Sequence, residues 1–277
     1  MARRLRLDAE LVRRGLARSR EHAAELVASG RVRLAGVVAV KPATGVTTDA
    51  AIVVRSDDAA PDYVSRGGHK LAGALAVFTP LGLGVAGRRC LDAGASTGGF
   101  TDVLLRADAA HVVCADVGYG QLAWPLRQDP RTTVLDRTNV RELSLDHLGT
   151  AVDLVVGDLS FISLRLVLPA LSAVTVEDGD LVLMVKPQFE VGRERLGKGG
   201  VVRDPDLRAA TVVAVAEHAG DLGWGTRAVT ASPLPGPSGN LEFFLWLRRD
   251  AERPDVTLVR RAVDAGPSVR ECTGDNT

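Results

Sequence analysis

The chain has 277 residues, 46% apolar and 25% charged, with 34 basic side chains balanced by 34 acidic ones. That composition can offset the entropy of ordering, so it excludes wholesale disorder and collagen-like repeats, and the length suits one large domain or two unequal ones. Cys90, Cys114 and Cys272 are too scattered for a disulfide framework, and no apolar run approaches the ~20 residues of a spanning helix. The expected setting is therefore a reducing cytoplasm, with no membrane partner. The five histidines show no ligand spacing, so no metal is expected.

In chain order, residues 8–15 and 19–29 read as two short helices, with Ser19 capping the second and Gly30 ending it. Arg31-Val-Arg-Leu34 alternates basic and apolar side chains, and Val37–Val40 and Ile52–Val54 read as strands, giving a helix pair on a small sheet. Charge is uneven here, because residues 1–41 hold 10 basic and 4 acidic side chains. The clustered arginines are either a solvated face or a phosphate-contacting surface, and Arg4, Arg6, Arg14, Arg18, Arg20 and Arg66 are the candidates for contacting RNA. Residues 60–66 read as a linker between a domain at 1–59 and a second at 67–250, with 251–277 as a tail holding one short helix, Thr257–Ala265.

From about residue 86 strands alternate with helices, the pattern of a doubly wound α/β sheet. The candidate strands are Arg89–Ala93, His111–Asp116, Thr132–Leu135, Asp153–Gly157, Leu181–Val185, Thr226–Ala231 and Glu242–Leu247. The proline-rich stretch Ser232–Asn240 has little helical potential, so the last two strands should form an antiparallel hairpin at one edge.

Asp92-Ala-Gly-Ala-Ser-Thr-Gly-Gly-Phe100 follows a strand and opens a helix, where a ligand can approach backbone N–H groups. Gly94, Ser96, Gly98, Gly99 and Phe100 depart from the G-x-G-x-x-G spacing of dinucleotide sites. Asp116 ends the next strand, where an acid can take ribose hydroxyls. Together they indicate an adenosine cofactor without a pyrophosphate, and the loop resembles the S-adenosylmethionine loop of class I methyltransferases. Tyr119-Gly120 and Thr138-Asn139 follow strands and either line an adenine pocket or are plain loops; Asn139 is carried as a cofactor candidate.

Parallel strands deliver ligand-facing groups at their C-terminal ends. Asp158 leaves one strand, Lys186 leaves the next, and Glu242 opens a strand that reaches the same edge if it runs antiparallel. Lys70 lies at the start of a helix. Of 34 cationic residues only Lys41, Lys70, Lys186 and Lys198 are lysine; codon bias accounts for most of that ratio, and the alternative is that a retained lysine marks a position needing a compact ammonium that can release its proton. Lys186 is either a base or a fixed positive charge beside a developing alkoxide. Phe161 and Phe189 either flank the transferred group or plug the core, core being favoured for one of them. Arg193, Arg195 and Lys198, set among glycines, suggest a mobile basic loop.

Val64-Ser-Arg-Gly-Gly-His-Lys70, Asp92–Phe100, Asp158-Leu-Ser-Phe161, Lys186-Pro-Gln-Phe189 and Ser238-Gly-Asn-Leu-Glu242 together resemble the TlyA family. These are bacterial rRNA 2′-O-methyltransferases that are also catalogued as haemolysins. Ser19-Arg20 and residues 24–32 resemble the RNA-binding domain of ribosomal protein S4. The resemblance implies a class I Rossmann-like methyltransferase sheet with a small α+β RNA-binding domain, and an FtsJ-like tetrad at Lys70, Asp158, Lys186 and Glu242. It also implies S-adenosylmethionine as cofactor and methylation of cytidine ribose in 23S rRNA and, for members with an extended N-terminus as read here, in 16S rRNA. The substrates would be 50S and 30S subunits, with no obligate protein partner, and the modification would support susceptibility to tuberactinomycins. The motif departs at the linker, where Pro61-Asp62-Tyr63 stands in place of a basic residue and Trp. Rival readings are a membrane-active haemolysin, which should show an inserting segment, and a non-catalytic RNA-binding protein. A base amino-methyltransferase would need two prolines after Asp158, and Leu159-Ser160 stand there.

Overall fold

The structure, a computed structural model, describes residues 4–17, 19–55, 62–236 and 238–266. The chain divides into two compact units, residues 1–62 and 63–277.

In the first unit a short strand β1 (Leu5–Arg6) leads into α1 (Leu7–Arg13) and α2 (Arg20–Ala28), followed by β2 (Val32–Leu34), β3 (Val37–Val38), β4 (Gly45–Val46) and β5 (Ile52–Val54). Ser19 Oγ accepts from His22 N at 3.1 Å, and Gly30 takes φ +70°, the left-handed stop that side chains disfavour. Leu7, Leu11, Ala23, Leu26, Val27 and Val32 pack between the helices and the antiparallel sheet β3-β2-β5. β1 pairs separately with β4.

The second unit opens with α3 (Arg66–Phe78) and alternates β6 (Arg89–Ala93), α4 (Gly99–Arg106), β7 (His111–Ala115), α5 (Trp124–Arg127), β8 (Thr132–Leu135), α6 (Leu145–Leu148), β9 (Val152–Gly157), α7 (Leu168–Ala173) and β10 (Thr175–Val185). Then come α8 (Pro187–Glu190), α9 (Pro205–Asp221), β11 (Gly225–Ala231), β12 (Phe243–Arg248) and α10 (Val256–Ala265). The sheet order is β11-β12-β10-β9-β6-β7-β8, with β12 antiparallel to both neighbours. Its central strands are apolar on both faces: Leu181, Leu183 and Val185 enter one core layer, while Val182 and Met184 enter the other with Phe78, Phe244 and Trp246. A strand covered by helices on both sides has to be apolar throughout, which is why β9 and β10 read as continuous runs.

Three boundaries differ from the sequence reading. Residues 63–66 are part of the second unit rather than a linker, because Tyr63 is buried, with its ring edge on His69 and under Arg106, and Val64 N donates to Asp102 Oδ2 at 2.9 Å. β10 begins six residues before Leu181; its polar stretch Glu177-Asp178-Gly179 lies where the register shifts, a bulge that apolar patterning does not show. The stretch assigned as tail contains α10, whose Val259, Ala262 and Val263 are buried in the core.

Candidate active site

The sheet register brings the four candidate residues together. Leu183 of β10 lies beside Gly157 of β9, so Lys186 and Asp158 emerge at neighbouring strand ends. Val185 pairs with Phe243 across the antiparallel step, which sets Glu242 against Lys186 one residue on. Lys186 Nζ lies 2.6 Å from Asp158 Oδ1 and donates to Ser160 Oγ at 2.8 Å. Lys70, from the first turns of α3, pairs with Glu242 Oε2 at 2.5 Å. Lys70, Lys186 and Glu242 are buried and Asp158 is partly open, so two ion pairs sit at the C-terminal edge of the sheet where water is largely excluded. Charges held this way interact far more strongly than on an open surface.

Beside them lies a cleft of about 180 Å³ lined by Gly94, Ser96, Gly99, Phe100 and Asp158, all expected, and by Ser65, Gly67, Ala95, Thr97 and Ser160, which were not. The glycines are required by space. A Cβ on Gly99 would stand 2.3 Å from Ser65 Oγ and 2.7 Å from Gly68 N, and one on Gly94, at φ +85°, would meet Leu159 and the Asp158 carbonyl at 3.0 and 3.1 Å. Gly98 lies behind the cleft, at φ +96°, with Leu126 and Leu122 where a Cβ would go. Gly99 and Phe100 open α4, and first-turn N–H groups have no acceptor within their own helix. Asp116 accepts from Ser96 N at 2.8 Å and Gly118 N at 2.7 Å, so its carboxylate shapes the loop edge while keeping lone pairs for a ribose.

Of the expected cofactor residues, Asp92 and Asn139, like Gly98 and Asp116, are not among those that line the cleft. Asp92 is fully buried beneath α4 and not on the cleft; Oδ2 accepts from Thr101 N at 2.9 Å and Thr101 Oγ1 at 2.7 Å, while Oδ1 has no partner among the described residues. Burial pushes its carboxyl up to about 7. Asn139 caps a 3₁₀ turn, accepting from Arg141 N and donating to Glu142 Oε1, and takes no part in lining the cleft. Neither aromatic beside the reacting groups is a core plug: Phe161 is 90% exposed and Phe189 half-buried, their centroids 5.2 Å apart. A larger cavity of about 320 Å³ between β11 and α10 is lined mainly by aliphatic groups, with Arg261 its one charge. Among the described residues no His/Cys/Asp/Glu group could hold a metal.

The residues assigned to RNA contact divide. Arg4, Arg6 and Arg20 are exposed, the last two sharing Asp8. Arg14 is half-buried and committed internally: Nε donates to Glu10 at 2.7 Å, and Nη1 and Nη2 donate to the carbonyls of Ala50 and Thr48 at 2.8 and 3.0 Å. Arg66 donates to Pro235 O at 2.7 Å, tying the start of α3 to the loop before β12. Arg18 lies outside the described residues. In the glycine-flanked loop Arg195 donates to Val191 O at 3.0 Å, while Arg193 and Lys198 have side chains outside the described set.

With this geometry in place, the likenesses to known proteins agree. The family described as FtsJ-like methyltransferase matches residues 63–249, and the S4 domain matches residues 5–52. The chain is 60% identical over 272 residues to the 16S/23S rRNA (cytidine-2′-O)-methyltransferase TlyA of Mycobacterium tuberculosis, which covers 96% of this chain and 100% of that protein. It is 38% identical to the Bacillus subtilis protein YqxC, an rRNA methyltransferase by name, over 98% and 97% of the two chains. A solved structure from Streptococcus thermophilus, named a hemolysin, superimposes with TM-score 0.75 at 37% identity, covering 95% of this chain and 96% of that one. Fold, site and likeness converge: the chain belongs to the TlyA family of FtsJ-like methyltransferases bearing an S4 domain.

Proposed function

We propose that this methyltransferase moves a methyl group from S-adenosylmethionine to the 2′-oxygen of cytidine ribose in 16S and 23S rRNA, acting in the cytoplasm on 30S and 50S subunits. The observation that carries the reading is the pair of ion pairs, Lys70–Glu242 and Lys186–Asp158, the second of which borders the glycine-lined cleft through Asp158. S-adenosylmethionine supplies an electrophilic methyl on a sulfonium; the cleft suits it, with first-turn amides for its carboxylate, Asp116 for its ribose and no room for a side chain at Gly94 or Gly99.

The chain contributes alignment and electrostatics. A ribose hydroxyl is weakly acidic, so attack needs the oxygen held in line and its developing charge offset. Lys186, between Asp158 and Ser160, offers positive charge at the strand end, and Lys70, paired with Glu242, adds a second. Asp158 borders the cleft and keeps the cationic centre close to neutral overall. The exposed arginines of the S4 unit supply phosphate contacts for an RNA substrate.

The test is tritium transfer from labelled S-adenosylmethionine to unmethylated 30S and 50S subunits. Incorporation into both supports the reading; no incorporation by folded, cofactor-binding protein contradicts it.

A further inference from the structure

We infer that Ser160 is a positioning residue of the methyl-transfer centre, aiming Lys186 at the acceptor oxygen; this rests on the ribose-methylation reading and deepens it. Ser160 Oγ accepts from Lys186 Nζ at 2.8 Å, and Asp158 Oδ1 stands 2.6 Å from the same nitrogen. Only the serine contact has hydrogen-bond geometry: Asp158 Oδ1 is a close ion-pair partner but accepts no hydrogen bond from the ammonium, so Ser160 is what fixes an N–H direction. With Asp158 alone the nitrogen could rotate about that single contact; the serine hydroxyl removes the freedom.

The loop is built to hold Ser160 there. It lines the cleft, so it is within reach of cofactor and acceptor. The next residue, Phe161, sits at φ +63°, a left-handed conformation that a bulky side chain adopts only when its surroundings impose it. The far end is clamped by Glu190, which is buried and accepts from Ser163 Oγ at 2.6 Å and Leu164 N at 2.7 Å. Glu190 closes α8, the helix that Lys186 opens, so one carboxylate locks the Ser160 loop to the segment carrying the lysine.

The experiment measures single-turnover methylation, S-adenosylmethionine Kd and rRNA KM for wild type, Ser160→Ala and Ser160→Thr. Ser160 is exposed, so neither change disturbs the core. The expected result is a loss of about 10- to 100-fold in the single-turnover rate for alanine, the scale of one removed orienting or electrostatic contact, with Kd and KM within about twofold of wild type and with threonine recovering most of the rate. Alanine at the wild-type rate, a loss confined to cofactor Kd, or threonine as slow as alanine would each overturn the inference. Failure of wild type itself to label ribose would overturn the proposed function instead.

Discussion

Arginine serves at 30 of the 34 cationic positions, and two of the four lysines left over are buried at the candidate site, Lys70 in α3 and Lys186 at the exit of β10. A guanidinium is planar and larger, and neither narrow pairing site, Lys70 on Glu242 or Lys186 between Asp158 and Ser160, has its fork geometry. Lys186→Arg is therefore expected to lose nearly as much rate as Lys186→Ala, about 10²- to 10³-fold in kcat with cofactor affinity kept, the scale of one removed transition-state donor; a kcat for arginine near wild type would contradict this. Asp92 gives a pH signature of a different kind. Its carboxyl is raised from 3.8 to about 7 by burial, so the folded state favours the protonated form. Its contribution to stability is complete below about 3.8 and is lost as pH rises toward about 7. The stability difference between wild type and Asp92→Asn, followed by denaturant unfolding, should move against wild type across that window and level off above it. That the four candidate residues meet was legible in part, because the strand ends place Asp158, Lys186 and Glu242 at one edge of the sheet. Asp92 was misplaced because a carboxylate at a strand end can face the ligand or turn under the helix, and only packing decides. Asn139 fell to local competition, its amide being taken by the turn that it caps.

Elements explain the rest of the site. α4 can start where it does only because residues 98 and 99 lack side chains: Leu126 and Leu122 occupy the space beside Gly98, and Ser65 and Gly68 that beside Gly99. Gly99→Ala is expected to weaken S-adenosylmethionine binding by about tenfold or more, since backbone must shift to admit the methyl, whereas Gly84→Ala, open on all sides, should leave it unchanged. Equilibrium dialysis on both variants decides this, and equal affinities would contradict it. Most strand limits were readable from apolar runs, because strands buried on both faces announce themselves. What escaped were features fixed by tertiary contacts: the bulged first half of β10, the packing of α10, and the close fit of Ser65 and Gly67 against the glycine loop, to which a serine-glycine stretch before a helix gives only a faint signal.

At the scale of the whole molecule, zero net charge conceals a basic S4 unit and a more acidic catalytic one. Its arginines do two jobs that composition cannot separate. Glu10, fully buried, is held at about 2 by Arg13 and Arg14, so this pairing favours the folded unit above the ordinary carboxylate range and fades as pH falls toward about 2. Arg14→Ala is thus expected to lower the thermal stability of the S4 unit by leaving Glu10 short of a partner. Arg4→Ala should leave stability unchanged and Arg20→Ala should lower it only slightly, since buried Asp8 keeps Arg6, while each should reduce the slope of log affinity for rRNA against log salt by about 1. Binding titrations at several salt concentrations, set beside melting curves, separate the two classes; a salt slope unaffected by either exposed arginine would remove the S4 unit from the phosphate-binding role.

The proposed Lys186 centre should methylate ribose and not a base. The most direct measurement is mass analysis of nucleosides from ribosomal subunits treated with wild-type or Lys186→Ala protein in the presence of S-adenosylmethionine. Wild type should yield 2′-O-methylcytidine, and the variant should lose nearly all of it with cofactor binding intact. Methyl on a base, or 2′-O-methylcytidine at wild-type yield and rate from the variant, would contradict it.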